Sequence, residues 1–185
     1  MTTRAKLRSA RLRLREKSLV DSWNDYQWRS DEELARLDAA PPLHMPYPEY
    51  AQFYAEEIQS PIPGSRRLAI DTLSGRHIGN CMYYDINFKN KQAEMGIMIG
   101  DRGYWDKGYG VEAVTVLLNH IFTTTNLERV YLHTLDWNAR AQRCFEKCGF
   151  LAVKTVQRAG KKFLYMEMLR SEWEATQLSA AADEE

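Results

Sequence analysis

The spacing of apolar residues separates a helical first third of the chain from a strand-rich remainder. Basic and apolar side chains alternate over 10–16, which predicts a strand with one solvated face. Helical segments are predicted over 18–38 and 48–59, and the prolines between them exclude one continuous helix. Three short β-type runs separated by turn sequences then predict an antiparallel meander over 66–72, 77–87 and 93–100.

The second half of the chain alternates helices with strands. Apolar residues recur at helical spacing over 111–124, and a strand over 129–137 follows. A helix over 138–149, a hairpin of two strands around Ala159-Gly160 and a short closing helix complete the pattern. Because a strand, a crossover helix and a second strand lie between 93 and 137, part of the sheet should be parallel. The order predicts an α/β fold, a mixed sheet with helices on both faces.

Composition and charge exclude several classes of protein. The 185 residues fit one domain over 1–185, with a core that needs neither disulfides nor a metal. With 25 basic and 25 acidic residues, the chain lacks the cationic surface of a nucleic-acid or lipid binder. No apolar run suits a transmembrane helix, and the N-terminus lacks the apolar core of a signal peptide. Three cysteines without a CxxC pair predict free thiols, no metal and a cytoplasmic protein.

A glycine-rich loop between the strand over 93–100 and the helix over 111–124 is the first candidate for chemistry. Its sequence is DRGYWDKGYG, in which Gly108 and Gly110 let backbone amides approach a ligand closely. The unpaired amides of the first helical turn favour an anion at this place. An ordinary tight turn explains the two glycines equally well. A nucleoside-triphosphate loop fits poorly, because Lys107 precedes its glycine, and the preceding strand opens no Rossmann-type sheet.

Two sequence motifs together resemble the GNAT superfamily of acetyl-CoA-dependent N-acetyltransferases. The first is AEMGIMIG followed by DRGYWDKGYGVEAV, and the second, further along the chain, is NARAQRCFEKCGF. The resemblance is greatest to the branch of ribosomal-protein N-terminal acetyltransferases and bacterial spermidine acetyltransferases. Trp105 departs from the family motif, which has Arg or Gln at this position. The resemblance is firm over about 66–155, and it implies a GNAT-like, mostly antiparallel central sheet.

The resemblance implies a binding mode for coenzyme A. The backbone of Ile97, Met98 and Ile99 would pair with the pantetheine arm, as an added strand pairs with a sheet edge. Ordinary core packing of the same three side chains is compatible with that role. The loop amides would hold the pyrophosphate, and by position these belong to Trp105, Asp106, Lys107, Gly108, Tyr109 and Gly110.

The second motif adds further candidate contacts to the coenzyme. Asn138 is a helix N-cap by position, and the resemblance implies that it also touches the coenzyme arm. Arg140, Arg143 and Lys147 form one basic stripe on the following helix. That stripe is either a solvated face or, at Arg143 or Arg140, a contact to a phosphate.

The implied chemistry is the attack of an amine on a thioester, which requires removal of the amine proton. Glu94 is the best-placed carboxylate in the sequence, ahead of Asp136 and Glu112, and Asn138 is the second catalytic candidate. Glu112 is better explained as a first-turn residue that faces the helix dipole.

The general acid is less obvious than the base. Many family members carry a tyrosine that protonates the leaving thiolate, and this chain has Phe145 at that position. Cys144 is a weaker candidate donor, because a buried free thiol usually behaves as a small apolar group. Tyr131 and His133 are interpreted as packed side chains.

The acceptor is predicted to be a primary amine, either a protein N-terminus or a small amine such as a polyamine. The acidic, aromatic helices over about 18–60 suit a cationic acceptor, and Trp28 and Tyr47 are predicted to wall its cleft. No nucleic-acid or membrane partner is expected, and a homodimer is compatible with these expectations. The alternative function is that of a non-catalytic acyl-CoA-binding or regulatory protein with the same fold.

Overall fold

The computed structural model describes residues 7–182, apart from the side chains of residues 180–182. The strands are β1 Leu12–Glu16, β2 Arg66–Thr72, β3 His77–Asn87, β4 Gln92–Ile99, β5 Arg129–Leu135, β6 Leu151–Arg158 and β7 Lys161–Leu169. The helices are α1 Ser22–Ser30, α2 Glu32–Leu37, α3 Tyr47–Gln59, α4 Tyr109–Thr124, α5 Ala139–Lys147 and α6 Arg170–Ala182. The predictions of one domain over 1–185 and of no signal peptide extend into chain ends that lie outside the described residues.

The seven strands form one mixed sheet in the order β1-β2-β3-β4-β5-β7-β6. Among the strands of residues 7–182, only β4 and β5 pair in parallel, and all other neighbours are antiparallel. This confirms the predicted meander of β2, β3 and β4 and the parallel unit that α4 connects. The turn between β6 and β7 has positive φ at both Ala159 and Gly160, which suits the right-handed twist of a two-residue hairpin.

Helices cover both faces of this sheet, as the sequence predicts. The face of α4 and α5 carries the apolar core, in which Leu117, Ile121 and Phe150 are at most 2% exposed. On the opposite face, α1 lies over the β1–β3 half, where Asp25 accepts hydrogen bonds from Lys17 and Asn80. Because successive residues of a strand point to opposite faces, each strand contributes to both layers.

The predicted helical segment over 18–38 is interrupted at Asp31. It consists of a 3-10 turn at Leu19–Asp21, then α1 and α2. Asp31 has an extended backbone, with φ −76° and ψ 123°, and its Oδ1 accepts a hydrogen bond from the Leu34 amide at 2.9 Å. A short polar side chain at a helix start satisfies amides that would otherwise lack a partner, so Asp31 ends one helix and caps the next.

A charged network joins β1 to α1 and β2 on the face opposite α4. Arg15 donates to both carboxylate oxygens of Asp21, at 2.7 and 2.8 Å, and to Asp71 at 2.7 Å. Asp21 is 1% exposed. Burial acts to raise the pKa of Asp21, but the hydrogen bonds from Arg15 and the Ser18 amide outweigh it and lower the pKa to about 2.

We expect Asp21→Asn to lower the free energy of unfolding at pH 7 by about 2 kcal/mol, the value of a carboxylate whose pKa falls by nearly two units on folding. The stabilisation is present above the unfolded-state pKa of about 4 and is lost as the pH falls towards the folded-state pKa. The free energies of unfolding of wild type and Asp21→Asn, measured with urea from pH 7 down to pH 3, should therefore converge. The exposed Glu174→Gln variant serves as control, and an undiminished difference at pH 3 would contradict the assignment.

Candidate active site

A cleft opens where β4 and β5 diverge. Their pairing ends at Glu94 and Tyr131, although β4 continues to Ile99. The walls come from the end of β4, the loop after it, α2 and α5. Most of the residues expected to bind coenzyme line this cleft: Ile97, Met98, Ile99, Trp105, Asp106, Gly108, Gly110, Asn138 and Arg143. Phe145 belongs to the same lining.

The backbone of β4 presents hydrogen-bonding groups to the cleft. Hydrogen bonds alternate along the antiparallel β3–β4 ladder, and the series ends where the Gly100 amide donates to the Ile78 carbonyl at 3.0 Å. Ile97 and Ile99 therefore direct their amides and carbonyls away from β3, towards the gap. The Trp105 indole donates to the Ile99 carbonyl at 2.6 Å, whereas no described strand pairs with Ile97 on this side.

The first turn of α4 forms an uncapped amide cluster at one end of the cleft. Gly108 is the N-cap residue, with φ +82°, and glycine offers no side chain to accept from the amides of Tyr109, Gly110 and Val111. A Cβ atom at Gly108 would lie 3.2 Å from Arg11 Nη2. The dipole of this 16-residue helix adds a positive potential at the same place, so the loop is suited to an anion.

Trp105 closes the loop against the end of β4. Two guanidinium groups lie over its ring, Arg140 at 3.5 Å and Arg102 at 5.4 Å from the ring centroid. Arg102 is itself held by Asp31 at 2.7 Å and Glu33 at 2.8 Å. Arg140 thus stacks on Trp105, while Arg143 is exposed at the cleft, so of the two Arg143 is the better phosphate candidate.

Arg11 is a structural residue of the site that sequence reasoning missed. It donates to Glu112 from its amide and from Nε, at 3.0 and 2.7 Å, and to the Lys107 carbonyl at 3.0 Å. Its guanidinium lies 4.4 Å from the Tyr109 ring centroid. Lys107 and Tyr109, predicted to bind coenzyme, lie outside the cleft lining, and their side chains instead hold the loop: Lys107 Nζ donates to the Gly103 carbonyl at 2.6 Å.

The start of α5 supplies the wall opposite β4. Asn138 caps the helix, since its Oδ1 accepts from the Ala141 amide at 3.2 Å, and it also lines the cleft. Phe145 is 7% exposed and packs edge-on against Phe150, with the ring centroids 5.8 Å apart. Cys144 lines the cleft beside Phe145, and a hydrogen bond from Cys148 lowers the pKa of its thiol.

Glu94 lies at the apex of the divergence, on the face opposite α4. Its Oε1 is 2.7 Å from Nδ1 of His133, and the two side chains are only 8% and 6% exposed. Arg158 Nη1 is 3.8 Å from the same oxygen. The pKa values of Tyr84 and Tyr131 are raised, mainly by burial and to a smaller extent by the neighbouring Glu94 carboxylate. The His133 side chain therefore packs as expected, but it does so as the partner of a buried carboxylate.

The predicted acceptor residues lie apart from this cleft lining. Trp28 packs flat on Gly100, where a Cβ atom would come within 2.1 Å of its ring, and it contacts the His77 ring edge-on. The Tyr47 hydroxyl is 2.9 Å from the Ser22 hydroxyl, and its ring meets Trp23 edge-on. Their contact with an acceptor remains a prediction.

Two further properties bear on the site. Within residues 7–182 no cluster of three or more His, Cys, Asp or Glu side chains is arranged to hold a metal ion. Nor does any helix of that range combine the length and the apolar character needed to cross a membrane.

Comparison with known proteins identifies relatives of this chain. The profile of a family described as acetyltransferase (GNAT) domain matches residues 11–151. A spermidine N(1)-acetyltransferase of Vibrio cholerae is 28% identical over 105 residues, which cover 57% of this chain and 59% of that enzyme. An uncharacterized N-acetyltransferase, p20, of Bacillus licheniformis is 42% identical over 53 residues, or 29% of each chain. The matches thus span less than two thirds of these curated relatives.

Solved structures share the fold over nearly the whole chain. Spermidine N-acetyltransferase from Vibrio cholerae, solved with CoA and spermine, has a TM-score of 0.77 at 22% identity and covers 89% of this chain and 99% of that one. Aminoglycoside acetyltransferase AAC(6')-Ib, solved with coenzyme A, has a TM-score of 0.75 at 20% identity, with coverages of 90% and 99%. At these identities the likeness establishes the fold alone.

Replacing Gly108 tests whether the loop holds a pyrophosphate. Asp and Asn have the same size and both tolerate positive φ, so the matched variants Gly108→Asp and Gly108→Asn differ mainly in charge. We expect Gly108→Asp to raise the Kd for acetyl-CoA by at least about 100-fold, because a carboxylate would stand against the phosphates, and Gly108→Asn to raise it much less. Calorimetric titration measures both constants, and thermal unfolding verifies the fold. Equal affinities of the two variants would refute the anion site.

Proposed function

The chain belongs to the GNAT acetyltransferase domain family, and from this premise we propose that it transfers the acetyl group of acetyl-CoA to a primary amine. The observation that carries the proposal is the cleft between β4 and β5. It combines an uncapped helix start with an exposed arginine at one end and free strand backbone along its length. Those are the partners that a pyrophosphate and an amide-containing pantetheine arm require.

Each part of the cleft has a role in this proposal. The amides from Asp106 to Gly110 hold the pyrophosphate, and Arg143 adds a charge to the same cleft; the Trp105 amide, also expected from the sequence, is already paired with the Arg102 carbonyl at 3.1 Å. Ile97 offers its amide and carbonyl to the pantetheine arm, while Asn138 bounds the arm from the other side. Arg11 and Trp105 fix the loop before any ligand arrives, which reduces the entropy lost on binding.

The reaction is a direct transfer within a complex of both substrates. The amine nitrogen, once deprotonated, attacks the thioester carbonyl carbon, the C–S bond breaks, and the coenzyme thiolate leaves and takes up a proton. Phe145 has no proton to give. A thiol with a pKa near 8.5 is already an adequate leaving group at neutral pH, so turnover does not require an acid at this position.

A small cationic amine suits the site better than a protein N-terminus. Helix α1 lies over the β1–β3 half of one sheet face, and the half of that face formed by β4, β5 and β7 carries Glu94, Tyr131, Tyr165 and Glu167. Carboxylates and tyrosine rings are the groups that attract an alkylammonium ion. Two of the relatives reported above are a spermidine acetyltransferase and an aminoglycoside acetyltransferase, and spermidine and aminoglycosides both carry several amino groups.

A panel of acceptors tests the function. We expect release of free thiol from acetyl-CoA with spermidine or an aminoglycoside, and slower release with a peptide that has a free N-terminus. The Gly108→Asp variant is the control for coenzyme-dependent turnover. Binding of acetyl-CoA without turnover on any acceptor would instead favour the non-catalytic, acyl-CoA-binding alternative.

Phe145→Tyr tests the consequence of the missing hydroxyl. We expect it to raise kcat by about tenfold, less than the 10²–10⁴ typical of a general acid, because the thiolate already leaves readily. Phe145→Leu removes the ring without adding a donor, and it should not raise the rate. Steady-state kinetics of the three proteins at saturating acetyl-CoA measures the effect. A rate for Phe145→Tyr at or below that of Phe145→Leu would contradict the placement of this side chain beside the thiolate.

A further inference from the structure

We propose that His133 removes the proton of the acceptor amine, and that Glu94 is a positioning residue that holds the imidazole. The inference rests on the proposed function. It differs from the expectation based on the sequence, in which Glu94 is the candidate base and His133 is a packed side chain. Its foundation is the Glu94–His133 pair, joined at 2.7 Å and largely withdrawn from solvent at the point where β4 and β5 separate.

The hydrogen bond to Glu94 determines the state of the imidazole. A carboxylate only accepts, so Nδ1 carries the proton and the lone pair of neutral His133 is on Nε2. Among residues 7–182, Nε2 has no hydrogen-bond partner, and it is not one of the buried polar atoms sealed from solvent. A second residue that fixes tautomer and ring orientation is what a histidine base requires.

Glu94 is less available than His133 to a substrate. Its Oε1 is occupied by Nδ1 of His133, and Arg158 approaches the same atom to 3.8 Å. Tyr84 and Tyr131 neighbour the carboxylate on β3 and β5. The imidazole extends from this enclosed group, with Tyr165 at 5.2 Å and Phe163 at 6.4 Å between ring centroids.

The position of the pair relative to the cleft suits attack on a thioester. Side chains alternate along a strand, so Glu94 lies on one face of the sheet and Ile97 and Phe145 on the other. A coenzyme arm placed between β4 and β5 would have Phe145 on one side and His133 on the opposite side. A nucleophile approaches a planar carbonyl from one face, and in this proposal the amine approaches from the His133 side, where Tyr131 and Tyr165 are partly exposed.

The proton and the electron pairs balance in this scheme. Nε2 of His133 takes one proton from the ammonium group, and the freed nitrogen lone pair forms the bond to the carbonyl carbon. The C–S bond then breaks and its electrons leave on the thiolate. The attached nitrogen, now cationic, gives its second N–H proton to the thiolate or to solvent, which leaves a neutral amide and the free thiol. The proton held by His133 returns to solvent.

Two acceptors of different basicity separate this role from a structural one. Spermidine is protonated at neutral pH and needs a base, whereas hydroxylamine is largely unprotonated and does not. We expect His133→Gln to lower kcat with spermidine by about 10²–10⁴ and with hydroxylamine by only a few-fold. Imidazole added to His133→Ala should restore part of the spermidine rate. The Glu94→Gln side chain can still accept a hydrogen bond from Nδ1, so its kcat with spermidine should fall less than that of His133→Gln.

Control experiments distinguish failure of the base assignment from failure of the proposed function. The exposed His44→Gln variant should match wild type with both acceptors, and calorimetric titration of acetyl-CoA shows whether each variant retains its fold and coenzyme site. Equal losses of His133→Gln with both acceptors, or no loss with spermidine, would overturn the base assignment while leaving acetyl transfer intact. Absence of wild-type turnover with either acceptor would overturn the proposed function and this inference together.

Discussion

The early end of the β4–β5 pairing is the constraint on which the rest of the site depends. The two parallel strands pair at three positions, the last of them Glu94 with Tyr131, and then diverge. Backbone amides and carbonyls away from water need partners, so the remainder of β4 must find them elsewhere. The Trp105 indole satisfies the Ile99 carbonyl, and an amide-bearing ligand can satisfy Ile97. In the proposed function, a coenzyme arm adds to this edge of β4 as a further strand would.

Long side chains from distant segments hold the loop beside this gap. Arg11 on the N-terminal side of β1 ties down the Lys107 carbonyl and Glu112, while Arg102 joins the loop to the start of α2 through Asp31. The positive φ at Gly108 is therefore imposed by surroundings already fixed in the free protein. This matters because an anion gains most from amides that need no rearrangement on binding. Exposed ion pairs add little to stability by themselves, so their value here is in fixing geometry.

Sequence reasoning succeeded where the signal was local. The strand pattern gave the meander and the single parallel pair, and the two motifs gave most of the cleft lining, from Ile97 to Phe145. It failed where partners are far apart in the chain. Arg11 and Glu112 are separated by 101 residues, and nothing in an alternating strand indicates that one of its arginines holds a loop. The helix break at Asp31 had a local signal, an acidic residue that can cap, but competing helical periodicity concealed it. The prediction that Trp28 and Tyr47 wall an acceptor cleft stays a prediction, because their observed packing against Gly100 and Trp23 is compatible with that role and does not require it.

In the proposed reaction, one face of the sheet binds the coenzyme and the other receives the acceptor. On the α4 side, apolar packing and helix amides suit a long ligand that carries phosphate at one end. On the other side, the charges of β1 and α1 are neutralised internally, since Arg15 and Lys17 pair with Asp21 and Asp25. Carboxylates near β5 and β7 are matched less fully, because Arg158 and Arg129, which approach Glu94 and Glu167, are themselves about half exposed. A cation that reaches this half of the face therefore meets incompletely neutralised carboxylates, whereas one that reaches the α1 half meets carboxylates already bound. In the proposed function, the distribution of ion pairs, more than the number of acidic residues, favours the approach of a cationic acceptor on the side of the gap where His133 lies.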